Sequence, residues 1–299
     1  MGYFELSCVG SGGNTGLQEC DEDFGRDELF IIVPDTHEIA TKTLAETEST
    51  WTTLFNAAVA TRGYPLFLHF NAEFDNEDRV QEEGWAGKTK TVRDGKKRGT
   101  FTFKDVPMYN HIELRKHNNR TGVALYKVTA NGYIKGWTDD ETVFKPFPIS
   151  EFRVNDRTDD DGASSDKTTI FIEEQDGSKW NDSGRYVKPS DFDPLLFDGI
   201  KDCSVTIASE IATGGTITVK SASGQVGVVG LVDANFELYE DATPTVKVAV
   251  TAVDNSDGTY TCTWSAVSGA CTIKLFDQPI GTSFYESTPL ASGSAAFTI

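Results

Sequence analysis

Strand-length runs with a side-chain period near two, set between turn residues, recur along most of this chain, while helical periodicity appears at one place. Tyr64-Pro-Leu-Phe-Leu-His-Phe-Asn-Ala-Glu-Phe74 is short, apolar and aromatic and reads as a strand. Further strands are expected at 85–93, 96–103, 122–129, 132–137, 151–154 and 168–174. Asp94-Gly95 stands between the runs 85–93 and 96–103, and Asp-Gly there predicts a tight two-residue hairpin turn, because both turn positions take positive φ. The single expected helix runs from Thr47 or Ser49 to Ala60. Trp51, Leu54, Phe55, Ala58 and Val59 recur there at helical spacing behind a Ser/Thr cap, and Arg62-Gly63 supplies the stop.

Composition changes near residue 200. Charged and aromatic residues give way to Thr, Val, Ser, Ala and Gly, and basic residues fall to Lys201, Lys220, Lys247 and Lys274. A chain of 299 residues is long enough to divide, so the shift marks a boundary between domains 1–200 and 201–299, with the turn-rich Pro189-Ser-Asp-Phe-Asp-Pro194 as linker. Beyond it, short strands are expected at 204–211, 215–221, 234–239, 246–253, 258–265 and 271–276. Val246-Lys-Val-Ala-Val-Thr-Ala-Val253, Asp254-Asn-Ser-Asp-Gly258 and Tyr260-Thr-Cys-Thr-Trp264 show the alternation and the turn most clearly. That spacing predicts an immunoglobulin-like sandwich. Tyr260-x-Cys262 agrees, but the rest of the Cys-Trp-Cys pattern is missing. The expected fold is therefore mainly β: an N-terminal sandwich or barrel-like domain with one helix, then an immunoglobulin-like sandwich.

Charge and motifs narrow the function. Against 46 acidic residues stand 27 basic ones, a net charge of −19, which argues against a dedicated nucleic-acid clamp. Residues 1–10 show neither the basic nor the apolar part of an export signal, and no uncharged apolar run approaches the roughly 18 residues of a spanning helix; a soluble protein made in a cytoplasm, with no membrane segment, is expected. Five cysteines, Cys8, Cys20, Cys203, Cys262 and Cys271, are an odd number without zinc-ligand spacing, and Cys262 and Cys271 read as core residues. His37, His69, His111 and His117 form no metal-ligand motif, and His69, in an apolar strand, reads as structural. Gly10-Ser-Gly-Gly-Asn-Thr-Gly16 lacks the Lys-Ser/Thr ending of a phosphate loop.

The acidic cluster Asp156, Asp159, Asp160, Asp161, Gly162 invites a calcium reading. With Gly162 as the invariant glycine of an EF-hand, Arg157 falls at the first ligand position and Thr168 at the last; with Gly258, Val253 and Trp264 do. Both frames fail, which leaves a solvated loop or an irregular site built from several loops. No catalytic residue, metal ligand or cofactor is assigned, and a non-enzymatic protein is expected.

The strongest departure from the acidic background is a run with six basic residues in eleven, Lys88, Lys90, Arg93, Lys96, Lys97 and Arg98, around the Asp94-Gly95 turn. It is flanked by Glu73, Asp75, Glu77, Asp78, Glu82 and Glu83. A basic projection beside an acidic stretch suits contact between identical copies, and equally suits a solvated hairpin whose Lys and Arg protect a strand edge. On the first reading, Lys88 to Arg98 form part of a subunit interface.

Ser7-Cys8, Glu19-Cys-Asp-Glu-Asp-Phe-Gly-Arg-Asp27, the run Leu29-Phe-Ile-Ile-Val-Pro34 and the capped helix with Trp51 resemble the N-terminal portion of virion proteins from tailed phages of gut bacteria, including crAss-like phages. A β-rich domain followed by an immunoglobulin-like module is similar in architecture to tail tube, or major tail, proteins. The resemblance implies a structural protein of the tail or neck, assembled in the host cytoplasm as a homo-oligomeric ring or tube beside other virion proteins, with DNA passing through an acidic lumen without specific binding. An adhesin or carbohydrate-binding protein, with exposed aromatics such as Trp85, Trp137 and Trp180, and a hydrolase on a β scaffold remain the other classes.

Overall fold

The computed structural model describes residues 25–55, 57, 60–66, 71–83, 89–159, 166–197, 199–221, 226–242, 247–275, 279–280, 283–287 and 295–298. The chain is mainly β, with several antiparallel sheets, and divides into two compact units, Met1–Phe197 and Asp198–Ile299. No helix among the described residues is long and apolar enough to cross a membrane.

The first unit contains, in order, β1 (Asp27–Pro34), α1 (Lys42–Ala45), α2 (Glu48–Phe55), β2 (Tyr64–Pro65), β3 (Asn71–Phe74), β4 (Val80–Glu83), β5 (Thr89–Arg93), β6 (Arg98–Lys104), α3 (Met108–Arg115), β7 (Val123–Thr129), β8 (Ile134–Trp137), β9 (Phe147–Val154), β10 (Lys167–Glu174), α4 (Ser178–Ser183) and β11 (Gly184–Val187). β1 lies antiparallel along β7 and is buried on both faces. Leu29, Ile31 and Val33 join Ala124, Tyr126 and Val128 in one core; Phe30 and Ile32 join Val123 and Leu125 in another. A strand with two buried faces has no polar row, so Leu29 to Val33 reads as an unbroken apolar run rather than an alternation.

Helices α1 and α2 close the first core with Ala45, Trp51, Leu54 and Phe55. The Trp51 indole N–H donates to the Ala45 carbonyl at 2.9 Å, and the ring meets Tyr126 edge-on at 5.2 Å. The other core lies between the β1–β7 layer and β6, β9 and β10, where Phe101, Phe103, Phe152, Ile170 and Ile172 face Phe30 and Leu125. Strand β9 belongs to both layers, pairing with β7 at Phe147 and Pro148 and with β10 along its remainder. The sheet therefore folds back on itself, and the Phe30 and Phe101 ring centroids lie 4.4 Å apart.

Three expectations are corrected here. The first unit has four α-helices among its described residues rather than one, and α2 ends at Phe55. Helices α3 and α4 are short and carry no apolar stripe; α3 turns His111 inward, where Nδ1 lies 3.1 Å from the Thr168 hydroxyl, so apolar periodicity could not reveal it. The second correction concerns 189–194, which is not a free linker. Asp193 caps a 3₁₀ turn, Pro194–Leu196, and Phe192, Leu195 and Phe197 pack on the first core, with Phe197 5.0 Å from Phe55.

The third is the hairpin. Strand β5 does not pair with β6 across Asp94-Gly95. β3 pairs with β6 from Asn71 opposite Thr102 to Phe74 opposite Gly99. The ladder continues as the Asp75 N–H donates to the Arg98 carbonyl and the Glu77 N–H to the Lys96 carbonyl, and β4 then pairs with β5 from Val80 opposite Arg93 to Glu83 opposite Thr89. Residues 71–83 and 89–104 are thus the two sides of one long hairpin, and Asp94-Gly95 lies inside its returning side. Gly95 has no positive φ. It is needed for close approach instead, because a Cβ there would stand 1.7 Å from the Glu77 carbonyl oxygen.

The second unit contains β12 (Ile200–Ile211), β13 (Gly214–Ser221), β14 (Phe236–Glu240), β15 (Lys247–Val248), β16 (Val250–Asp254), β17 (Thr259–Trp264), β18 (Ala270–Leu275), β19 (Pro279–Ile280), β20 (Ser283–Ser287) and β21 (Ala295–Thr298). They form two sheets, ordered β16-β17-β13-β12-β20-β19 and β15-β14-β18-β21, over one core. Val205, Ile217, Val219 and Tyr260 come from the first, and Leu238, Cys271 and Ile273 from the second. Cys203, Cys262 and Cys271 are buried, and burial pushes the Cys262 thiol up to about 12.

Candidate functional site

The long hairpin carries every described residue of the expected interface, and its two halves are held differently. At the base, β6 lies between β10 and β3, with Gly99, Phe101 and Phe103 buried. Glu173 of β10 accepts from Lys96 Nζ at 2.5 Å, Arg98 Nε at 2.6 Å and the Ser150 hydroxyl at 2.7 Å. Burial alone would raise this carboxyl, but the three donors outweigh it and hold it at about 2. Further out, Arg93 donates twice to Glu77, at 2.8 and 3.0 Å, and the Lys96 N–H donates to Glu77 at 3.2 Å. The Arg93 bonds, then the Lys96 N–H, hold Glu77 at about 2 as well. Arg79 pairs with Asp94 at 2.7 Å.

The basic run therefore does not act as one free patch. Arg93, Lys96 and Arg98 have carboxylate partners inside the chain, and Lys97 is half-buried beneath the hairpin. Lys90 is exposed on the outer ladder, opposite Glu82. Lys88 lies outside the described residues, as do His69, Trp85, Asp160 and Asp161. Sequence reasoning named Glu77 only as part of an acidic flank and missed Glu173, the carboxylate that organises the base. A signal existed for Glu173: Thr168-Thr-Ile-Phe-Ile-Glu-Glu174 ends an otherwise buried strand with two acids, and buried acids need partners.

The outer half has no described support from the interior, and its ties are the exposed pairs of Arg93 with Glu77 and Arg79 with Asp94. Every residue of β4 and of β5 is solvent-exposed, and among the described residues β4 pairs with β5 alone. Phe74, Val80 and Val92 expose 60, 37 and 58 % of their surface along this hairpin. An isolated two-stranded ribbon is marginally stable in water, because it buries too little apolar surface to offset the ordering of its backbone. Such a ribbon is stabilised when a further surface covers it.

The other sequence candidates do not converge on this hairpin. His37 is edge-on to Tyr126 at 6.0 Å, with Nε2 buried, and burial lowers its basicity. Trp137 donates its indole N–H to the Pro146 carbonyl, and Trp180 packs on Phe147, so neither belongs to an exposed aromatic cluster. Asp156 pairs with Arg115 and Asp159 approaches Arg157. Among the described residues no group of three or more His, Cys, Asp or Glu side chains is placed to hold a metal ion. No protein-family model matches the chain, and no curated protein matches it.

Proposed function

We propose that this chain is a non-enzymatic structural protein of a phage virion, which oligomerises into a ring or tube of the tail or neck through its long hairpin. The observation that carries the reading is the outer ladder, β4 with β5, exposed at every residue although a free ribbon of that kind is marginal on its own. A neighbouring copy that covers the ladder removes Val80 and Val92 from water and completes the pairing. Charge supports the same use: at net −19, a lumen lined by this protein repels phosphate and lets DNA pass without adhering. On this reading the second unit is an immunoglobulin-like decoration of the exterior, the neighbours are other tail or neck proteins, and assembly takes place in the host cytoplasm.

Electron microscopy of the purified full chain tests it. Rings or stacked tubes are expected, and shortening the hairpin by replacing 79–94 with a two-residue turn should leave folded monomers. Monomers of the unaltered chain at every concentration would overturn the reading; if such monomers bind glycans, an adhesin takes its place.

A further inference from the structure

The same-face rows of three strands change character at one end of the folded sheet. Along β7 the inward row is Val123, Leu125, Lys127; along β10 it is Ile170, Ile172, Glu174; along β6 it runs Phe103, Phe101, Gly99 and on to Lys97. Where the apolar rows stop, a cavity of about 200 Å³ opens, walled by Phe30, Phe74, Phe101, Phe147 and Trp180. Gly99 makes room for it, since a Cβ there would lie 2.6 Å from the Phe101 ring.

Four cations and two carboxylates face this cavity: Lys97, Arg98, Lys127, Lys135, Asp27 and Glu174. Lys127 pairs with Glu174, Lys135 with Asp27 at 2.8 Å, and Arg98 with Glu173 behind the wall. Among the described residues that leaves the half-buried Lys97 ammonium with no ion pair. Burial lowers its basicity, Glu174 and Asp27 raise it, and Lys127 and Lys135 lower it. A second group is also incomplete. Glu174 is 4 % exposed, and its Oε2 is buried with no hydrogen-bond partner. An uncompensated ammonium calls for an anion, and an orphaned carboxylate oxygen calls for a donor. The walls between them are aromatic. A cavity of about 150 Å³ is enough to hold benzene.

We propose that this cavity is a binding site for a small aromatic monocarboxylic acid that also carries a hydroxyl, with the acid group on Lys97, the hydroxyl donating to Glu174, and the ring among Phe74, Phe147 and Trp180. The site is independent of the assembly reading.

Calorimetric titration of the full chain with 4-hydroxybenzoate tests it. A saturable dissociation constant of about 0.1–1 mM is expected for a ligand of this size. Uncharged 4-hydroxybenzamide and hydroxyl-free benzoate should each bind about 10-fold more weakly, in line with the loss of one charge-assisted bond. Lys97→Met should weaken 4-hydroxybenzoate to the level of the amide, and Lys97→Arg should retain binding. Occupancy should also slow modification of Lys97 by an amine-reactive reagent, read by mass spectrometry. If Lys97→Met fails to fold, the comparison of acid and amide on the unaltered chain decides. No saturation by 10 mM, or equal affinity for acid and amide, would overturn the proposal and leave a cavity that holds water only.

Discussion

At its base the hairpin is anchored to the sheet through β6, which pairs with β10 on one side and with the hairpin's own β3 on the other; Phe101 and Phe103 are buried, and one carboxylate, Glu173, gathers Lys96, Arg98 and Ser150. Twenty ångströms or so along the same ladder, about six residues at 3.3 Å each, β4 and β5 touch only each other. Both halves are antiparallel pairs with mixed charge, yet the interior stabilises one, while the other is tied, among the described residues, by its own ladder and by the exposed pairs of Arg93 with Glu77 and Arg79 with Asp94. The difference teaches that a dense run of basic residues is not by itself a docking surface. Position along the ladder decides which cations are consumed internally and which remain available.

The largest effect should follow from removing the outer half. A chain in which a two-residue turn replaces 79–94 is expected to lose assembly altogether in sedimentation velocity, while its thermal unfolding stays near that of the parent monomer. A collapse of monomer stability would break the comparison, because the outer ladder would then support the unit.

The base should respond in the opposite way. Glu173→Gln leaves Lys96 and Arg98 with a weaker acceptor and is expected to cost about 1–3 kcal/mol of unfolding free energy, measured by urea denaturation. Reversing Lys96 or Arg98 to Glu would set like charges against Glu173 and unfold the base, so such a reversal confounds assembly with folding. Lys90→Glu avoids that. It should leave the unfolding free energy from urea denaturation unchanged within about 0.5 kcal/mol and weaken assembly, the more so at low salt.

Acid should separate the two halves further. Glu173 has a folded value of about 2 against an ordinary 4.5, so its contribution to stability is fully present above 4.5 and is lost as pH falls from there towards 2. The stability difference between the parent and Glu173→Gln should therefore shrink across that window. A difference independent of pH would show that the charge of Glu173 plays no part. The smallest effect is expected at the exposed pair of Glu82 and Lys90, where exchanging the two residues should change monomer stability by no more than about 0.2–1 kcal/mol, read from the same urea curves.

The mainly β class was legible because period-two runs such as Thr168 to Glu174 and Tyr260 to Trp264 are set by pleat geometry, whereas the run expected as one strand over 246–253 is divided, in its described part, between β15 and β16 in different sheets. Strand β1 was less legible, since burial on both faces erased its alternation. The hairpin turn was misread for a definite reason: Asp94-Gly95 has the right residues for a turn, but the ladder from Phe74–Gly99 to Val80–Arg93 depends on pairing partners 25 to 13 residues away. Gly95 serves close backbone approach, a demand that sequence does not distinguish from positive φ. The interface residues were named from charge density; Glu77 stood in the flanking acidic stretch and Glu173 at the end of a buried strand, but that they take up three of the basic residues follows from the tertiary pairing.

The central claim is that the outer ladder is completed by another copy of the chain. Hydrogen–deuterium exchange of the amides in 80–83 and 89–93, followed across a dilution series from assembled to monomeric protein, tests it most directly. Strong protection in the assembly that disappears on dilution is expected, while the base amides of β6 stay protected throughout. Outer-ladder amides that exchange rapidly within the assembly, or that remain equally protected in the monomer, would contradict it.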